Sequence, residues 1–101
     1  MILYNVTTKV SWQIAEQWLS WQQTIHIPEM MGIGLFTAYK IFHLLEQDDE
    51  DGPTYAVQFF LDSIEKYEEY VRTCAPVLRQ KSIDRWGNQA IAFRSVMRLV
   101  N

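Results

Sequence analysis

The stretch WLSWQQTIHIPEMMG, residues 18–32, holds one of the chain's two histidines with a carboxylate three residues later, His26 and Glu29. At this spacing the two share a helix face if the helix survives Pro28. An imidazole that titrates near neutral pH beside a carboxylate is a usable acid–base pair. The same residues equally suit a helix-terminal histidine favoured by the helix dipole, with Glu29 capping the next turn. One histidine and one carboxylate are too few ligands for a metal ion, so no metal site is expected. The second histidine, His43, lies between Phe42 and Leu44 in an apolar run, where it either points inward or stands at a sheet edge.

Other constellations exclude chemistry. The acidic run Asp48, Asp49, Glu50, Asp51 fails the calcium-loop pattern, because Gln47 would hold the first ligand position and Gln58 the last. It reads as a solvated turn. Gly32 and Gly34 precede a strand, whereas a phosphate-binding loop follows a strand and opens a helix. No G-x-S-x-G occurs. The one cysteine, Cys74, excludes an intrachain disulfide and falls on an apolar helical stripe, as a buried thiol would. No cofactor is expected.

The elements that must position these residues are legible from period. ILYNVTTKV (2–10) alternates and reads as a strand. Ser11 can cap the helix after it. Ile14, Trp18, Trp21 and Ile25 recur at helical spacing and predict a helix over about 12–26. Trp12, Trp18 and Trp21 cover more than one of its faces, so at least one is exposed or at an interface. Pro28 either interrupts the helix or begins another turn. LFTAYKIFHLLE (35–46) reads as a second strand, QDDEDGP (47–53) as a turn and TYAVQFFL (54–61) as a third strand. Asp62 and Glu65 fit a capping box for a second helix whose inner stripe is Ile64, Tyr67, Val71 and Cys74. Pro76 breaks it, and a short helical segment over 77–86 closes at Gly87. AIAFRSVMRLV (90–100) is the fourth strand. The order β-α-β-β-α-β predicts an α+β, ferredoxin-like domain over 1–101: one four-stranded antiparallel sheet with helices on one face.

A chain of 101 residues suits one such domain. It contains fourteen aromatics (four Trp, five Tyr, five Phe), enough to fill a large core or to line an interface or pocket. The net charge of −3 and pI of about 5.2 argue against nucleic acid as a partner. No apolar stretch approaches the roughly 20 residues of a membrane span and no signal-peptide pattern opens the chain, so a cytoplasmic protein is expected. Charge is uneven. Residues 46–69 hold nine acids and one base; residues 72–101 hold six bases and one acid. That asymmetry means two differently charged surfaces, an anion site near Arg94 or Arg98, or charge pairing between subunits.

The sheet face opposite the helices is the informative one. With Tyr4, Val6, Tyr55, Val57, Phe59, Ile91, Phe93 and Met97 turned to the helices, the other face carries Leu3, Asn5, Thr7, Ala56, Gln58, Phe60, Ala92, Arg94 and Val96. The strand over 35–46 is apolar on both sides and offers either Phe36, Lys40 and Phe42 or Tyr39, Ile41 and His43. Large apolar groups flecked with hydrogen-bonding ones suit a ligand cavity or an interface, and such a patch is unusual on a monomer. Two copies packed sheet to sheet are expected. Asn5, Tyr39, His43, Gln58 and Arg94 are the candidate pocket lining, with His26 near its mouth, for a small apolar or aromatic ligand.

The stretches MILYNVT, HIPEMMGIGLFTAYKI (26–41), EDGPTYAVQFF (50–60), Cys74-Ala75-Pro76 and AIAFRS (90–95) together resemble a family of short bacterial proteins catalogued as domain of unknown function 4286, over nearly the whole chain. The segment from Trp18 through His26-Ile27-Pro28-Glu29 to Gly34-Leu35-Phe36 is also similar to the wider dimeric α+β barrel group, which includes cofactor-independent monooxygenases, haem-degrading monooxygenases and isomerases. Asn5 is similar in placement to the strand asparagine of the haem-degrading members. The resemblance implies a homodimer whose sheets form a barrel, and supplies no reaction. Two functions stand as expectations: a binding or interaction module, or a cofactor-independent monooxygenase or isomerase acting on an aromatic molecule.

Overall fold

The alternating N-terminal segment, β1 (Ile2–Val10), takes the inner position its period suits. In the computed structural model, which describes residues 1–101, it pairs antiparallel with β3 (Thr54–Leu61) on one side and β4 (Ala90–Arg98) on the other. β2 (Ala38–His43) pairs with β3, so the sheet order is β2-β3-β1-β4 with β2 and β4 at the edges. The helices pack on one face, giving the expected ferredoxin-like α+β fold. They are α1 (Ala15–Trp21), α2 (Ile27–Gly32), α3 (Ile64–Thr73) and α4 (Ala75–Trp86). Tyr4, Phe36, Phe59 and Tyr70 stack as an aromatic cluster beneath them, with centroids 5.1–6.4 Å apart.

The first helix departs from its expected span. It runs from Ala15 to Gly32 as α1, a π-helical turn at Gln22–His26 and then α2. Pro28 does not interrupt it; it follows the π-helical turn directly, at the second position of α2. The π-turn closes i→i+5 bonds and so inserts a residue into one turn. The apolar stripe therefore slips. Ile14 and Trp18 stay buried, Trp21 is half-buried, Ile25 turns out to solvent, and polar Gln22 turns in. Ser11 does not cap: Ile14 holds the N-cap position, and the Ser11 hydroxyl has no partner.

Later boundaries shift for similar local reasons. β2 is shorter than 35–46 because Phe36 leaves the strand to fill the core against Phe59 and Tyr70. Ser63, not Asp62, caps α3, its Oγ accepting from the Lys66 N–H at 3.4 Å. Asp62 instead pairs with Lys66 Nζ at 3.3 Å. The buried member of α3 is Tyr70, outside the expected stripe. Pro76 opens α4 rather than breaking a helix, and Gly87, at φ 58°, ends it.

The acidic turn is tied down by its carbonyls. Asp48 O accepts from Lys9 Nζ at 3.2 Å and Asp49 O from Trp12 Nε1 at 2.9 Å, while the four acidic residues stay exposed. Gly52 lies so close to β1 that a Cβ there would fall 1.7 Å from the Val10 carbonyl oxygen.

β4 faces the opposite way from the sequence expectation. Met97 pairs with Leu3 and Phe93 with Thr7, so Ile91, Phe93 and Met97 lie on the open face. Ala92, Arg94 and Val96 pair with Thr8, Val6 and Tyr4 and share the helix side. β2 is also resolved: Ala38, Lys40 and Phe42 face the open side, and Tyr39, Ile41 and His43 the helix side.

Candidate functional site

A cavity of about 50 Å³ lies between the helices and the sheet, not on the open face. β1 and β3 supply Tyr4, Val57 and Phe59 to its floor, because even positions of β1 and odd positions of β3 point to the helices. Trp18 of α1 and Met30 of α2 close one wall. The π-turn supplies Gln22 and His26, four residues apart and on one face of the helix. Arg79 and Ser82 of α4 and Arg94 of β4 complete the lining, which contains no aspartate or glutamate.

The polar geometry centres on the Tyr4 hydroxyl. It accepts from Arg94 Nε at 3.1 Å and from Arg79 Nη2 at 3.4 Å. The Tyr70 hydroxyl donates to Met30 Sδ at 3.6 Å. Burial, and then the adjoining Tyr4 hydroxyl, push the Tyr70 pKa far up, so Tyr70 stays protonated. Arg79 Nε and His26 Nδ1 are buried and have no hydrogen-bond partner. Such orphans are rare, and one facing a cavity points to an occupant. The His26 ring stacks on Trp21 with centroids 4.8 Å apart. Burial lowers its pKa below the ordinary 6.5; Glu29 opposes this, and Lys81 and Arg94 add to it. The imidazole is therefore neutral at pH 7. Glu29 is not bonded to it and pairs with Lys81 Nζ at 2.7 Å.

Of the six residues expected to line one pocket, the structure brings together two, His26 and Arg94. Asn5 and Gln58 are cross-strand partners on the open face, where Asn5 Nδ2 donates to Thr7 Oγ1 at 2.9 Å. Tyr39 and His43 are exposed on edge strand β2, His43 beside Tyr55 with ring centroids 5.1 Å apart. Sequence reasoning missed Tyr4, Gln22 and Arg79. For Arg79 a signal existed, the excess of bases after residue 72; for Gln22 it was the position four residues after Trp18, on the same helix face.

A family model spans residues 1–100 and is described as "Domain of unknown function (DUF4286)". The chain belongs to this family. No curated protein matches it. Solved structures share its fold at low identity. A dimeric ferredoxin-like protein from an uncultured marine organism is 8% identical with a TM-score of 0.73, covering 99% of this chain and 95% of that one. An ethyl tert-butyl ether d (EthD) family protein from Bacillus halodurans is 10% identical with a TM-score of 0.70, covering 99% and 100%. A protein named antibiotic biosynthesis monooxygenase is 12% identical with a TM-score of 0.69, covering 100% of both chains. At these identities the likeness is one of fold. No helix of this DUF4286 chain is long and apolar enough to cross a membrane.

Proposed function

We propose that this DUF4286 protein is a cytoplasmic homodimeric binding module, a single domain that holds a small, largely apolar ligand between its helices and its sheet. The observation that carries the reading is the cavity itself. Its floor is aromatic and aliphatic, and a few polar groups from the π-turn, α4 and β4 converge on it, the make-up of a ligand site. At roughly 10–15 Å³ per water, 50 Å³ accommodates a handful of non-hydrogen atoms. The dimer is supported by the open face, where Phe93 and Ile91 of β4 are 67% and 64% exposed and Phe42, on the opposite edge strand, is exposed too. The dimeric ferredoxin-like neighbours add to that support.

Native mass spectrometry of the protein as purified tests both parts. A mass of twice 12.0 kDa plus a small increment is the expected result. A bare monomer at all concentrations overturns the dimer. A bare dimer that gains no mass from any small molecule overturns the ligand site and leaves a protein–protein interaction module.

A second reading is favoured by His26, a neutral imidazole lining the cavity and able to take a proton. It is a cofactor-independent monooxygenase or isomerase acting on an aromatic molecule. Oxygen uptake with phenolic compounds that falls in His26→Ala would favour it. The cavity would have to widen severalfold to reach the roughly 300 Å³ of ordinary ligand pockets.

A further inference from the structure

The ligand's polar end can be assigned from charge. Arg79 and Arg94 reach the cavity from α4 and β4, and neither forms an ion pair; the chain's ion pairs are Lys66–Asp62 and Lys81–Glu29. Both guanidinium groups donate to one neutral acceptor, the Tyr4 hydroxyl, which has two lone pairs to offer against five N–H donors on each arginine. Arg79 Nε is buried with no partner, and His26 Nδ1 is a second orphan in the same lining. Two cations beside a cavity with no carboxylate in its walls make a local field that favours an anion.

The cavity is also polarised along its depth. Trp18, Met30, Phe59 and Tyr70 are all but inaccessible, whereas Arg79 is half-buried and Arg94 exposed. The charged groups therefore stand at the solvent end and the apolar ones at the closed end. We propose that the cavity binds a short-chain monocarboxylate, its head between Arg79 and Arg94 and its apolar tail against Trp18 and Phe59. A planar carboxylate matches the guanidinium fork with two oxygens, and the tail explains why the closed end is apolar, which free phosphate would not. This assignment rests on the cavity being the ligand site.

The test is calorimetric titration of the intact protein with butyrate, with its uncharged counterpart butyramide and with inorganic phosphate. Butyrate is expected to bind saturably and to weaken as chloride rises; butyramide and phosphate are expected to bind at least tenfold more weakly. Arg94→Gln, on an exposed edge strand, is expected to lower butyrate affinity roughly tenfold or more while circular dichroism stays unchanged. Ala92→Leu, which fills the cavity and leaves both arginines in place, is expected to abolish binding. Equal binding of butyrate and butyramide overturns the carboxylate and leaves the cavity a ligand site. Preferential binding of phosphate, or unchanged butyrate binding in Ala92→Leu, overturns the seated tail. Absence of binding by butyrate overturns the proposal outright, and the native mass measurement then decides the cavity reading separately.

Discussion

The two faces of one sheet have opposite fates. On the helix side, Tyr4 and Phe36 have ring centroids within 6.4 Å of each other and of Phe59 and Tyr70, and all four are almost wholly buried. On the open side, Phe93, Ile91, Phe42 and Met97 are as apolar yet stand largely in solvent. The strands of the sheet alternate alike on both faces, so local propensity does not separate the faces. What separates them is cover: the helix side is closed by the chain's own α1–α4, and the open side has no such lid. Burial that a 101-residue chain completes internally on one face is left for another surface to complete on the other.

Variants can break this contrast, beginning with the largest expected effect. Phe59→Ala empties the centre of the helix side and should cost about 3–5 kcal/mol, read as a lowered denaturant midpoint. Phe93→Asp should leave the fold intact by circular dichroism yet shift the sedimenting species to a monomer, because an unpaired charge in an apolar interface costs several kcal/mol. If Phe93→Asp instead unfolds the chain, the open face is part of the intrachain core and the contrast fails. Tyr4→Phe removes the acceptor shared by Arg79 and Arg94 and should cost about 1–3 kcal/mol, less than Phe59→Ala since both arginines retain some access to water.

The smallest effect is one of pH. His26 has a lowered pKa in the folded state because it is buried, so below about pH 6.5 the unfolded chain binds a proton that the folded chain resists. Stability should therefore be flat above pH 6.5 and decline as pH falls from there through the folded-state pKa. Denaturation midpoints across pH 7.5 to 5 should show that decline, and His26→Gln should flatten it. An increase on acidification would mean that Glu29 outweighs burial.

Element order, the alternation of β1 and β3, the turn at 47–53 and the stop at Gly87 were written in the sequence, because each is a local preference: a period, a turn composition or a residue tolerant of positive φ. That local information also located His26 and Arg94 as residues of interest. It could not say which face of β4 meets the helices. Alternation reveals that two faces exist, and a register shift of one residue exchanges them; the pairing of Leu3 with Met97 and of Val6 with Arg94 decided it. Nor could it bring Tyr4 to Arg79 and Arg94, 75 and 90 residues away. Sequence determined which elements form, since their periods and turn residues lie within a few positions of one another. The site, with its two arginines on one hydroxyl, was decided only when distant elements packed, since its energies lie between residues that the chain itself keeps far apart.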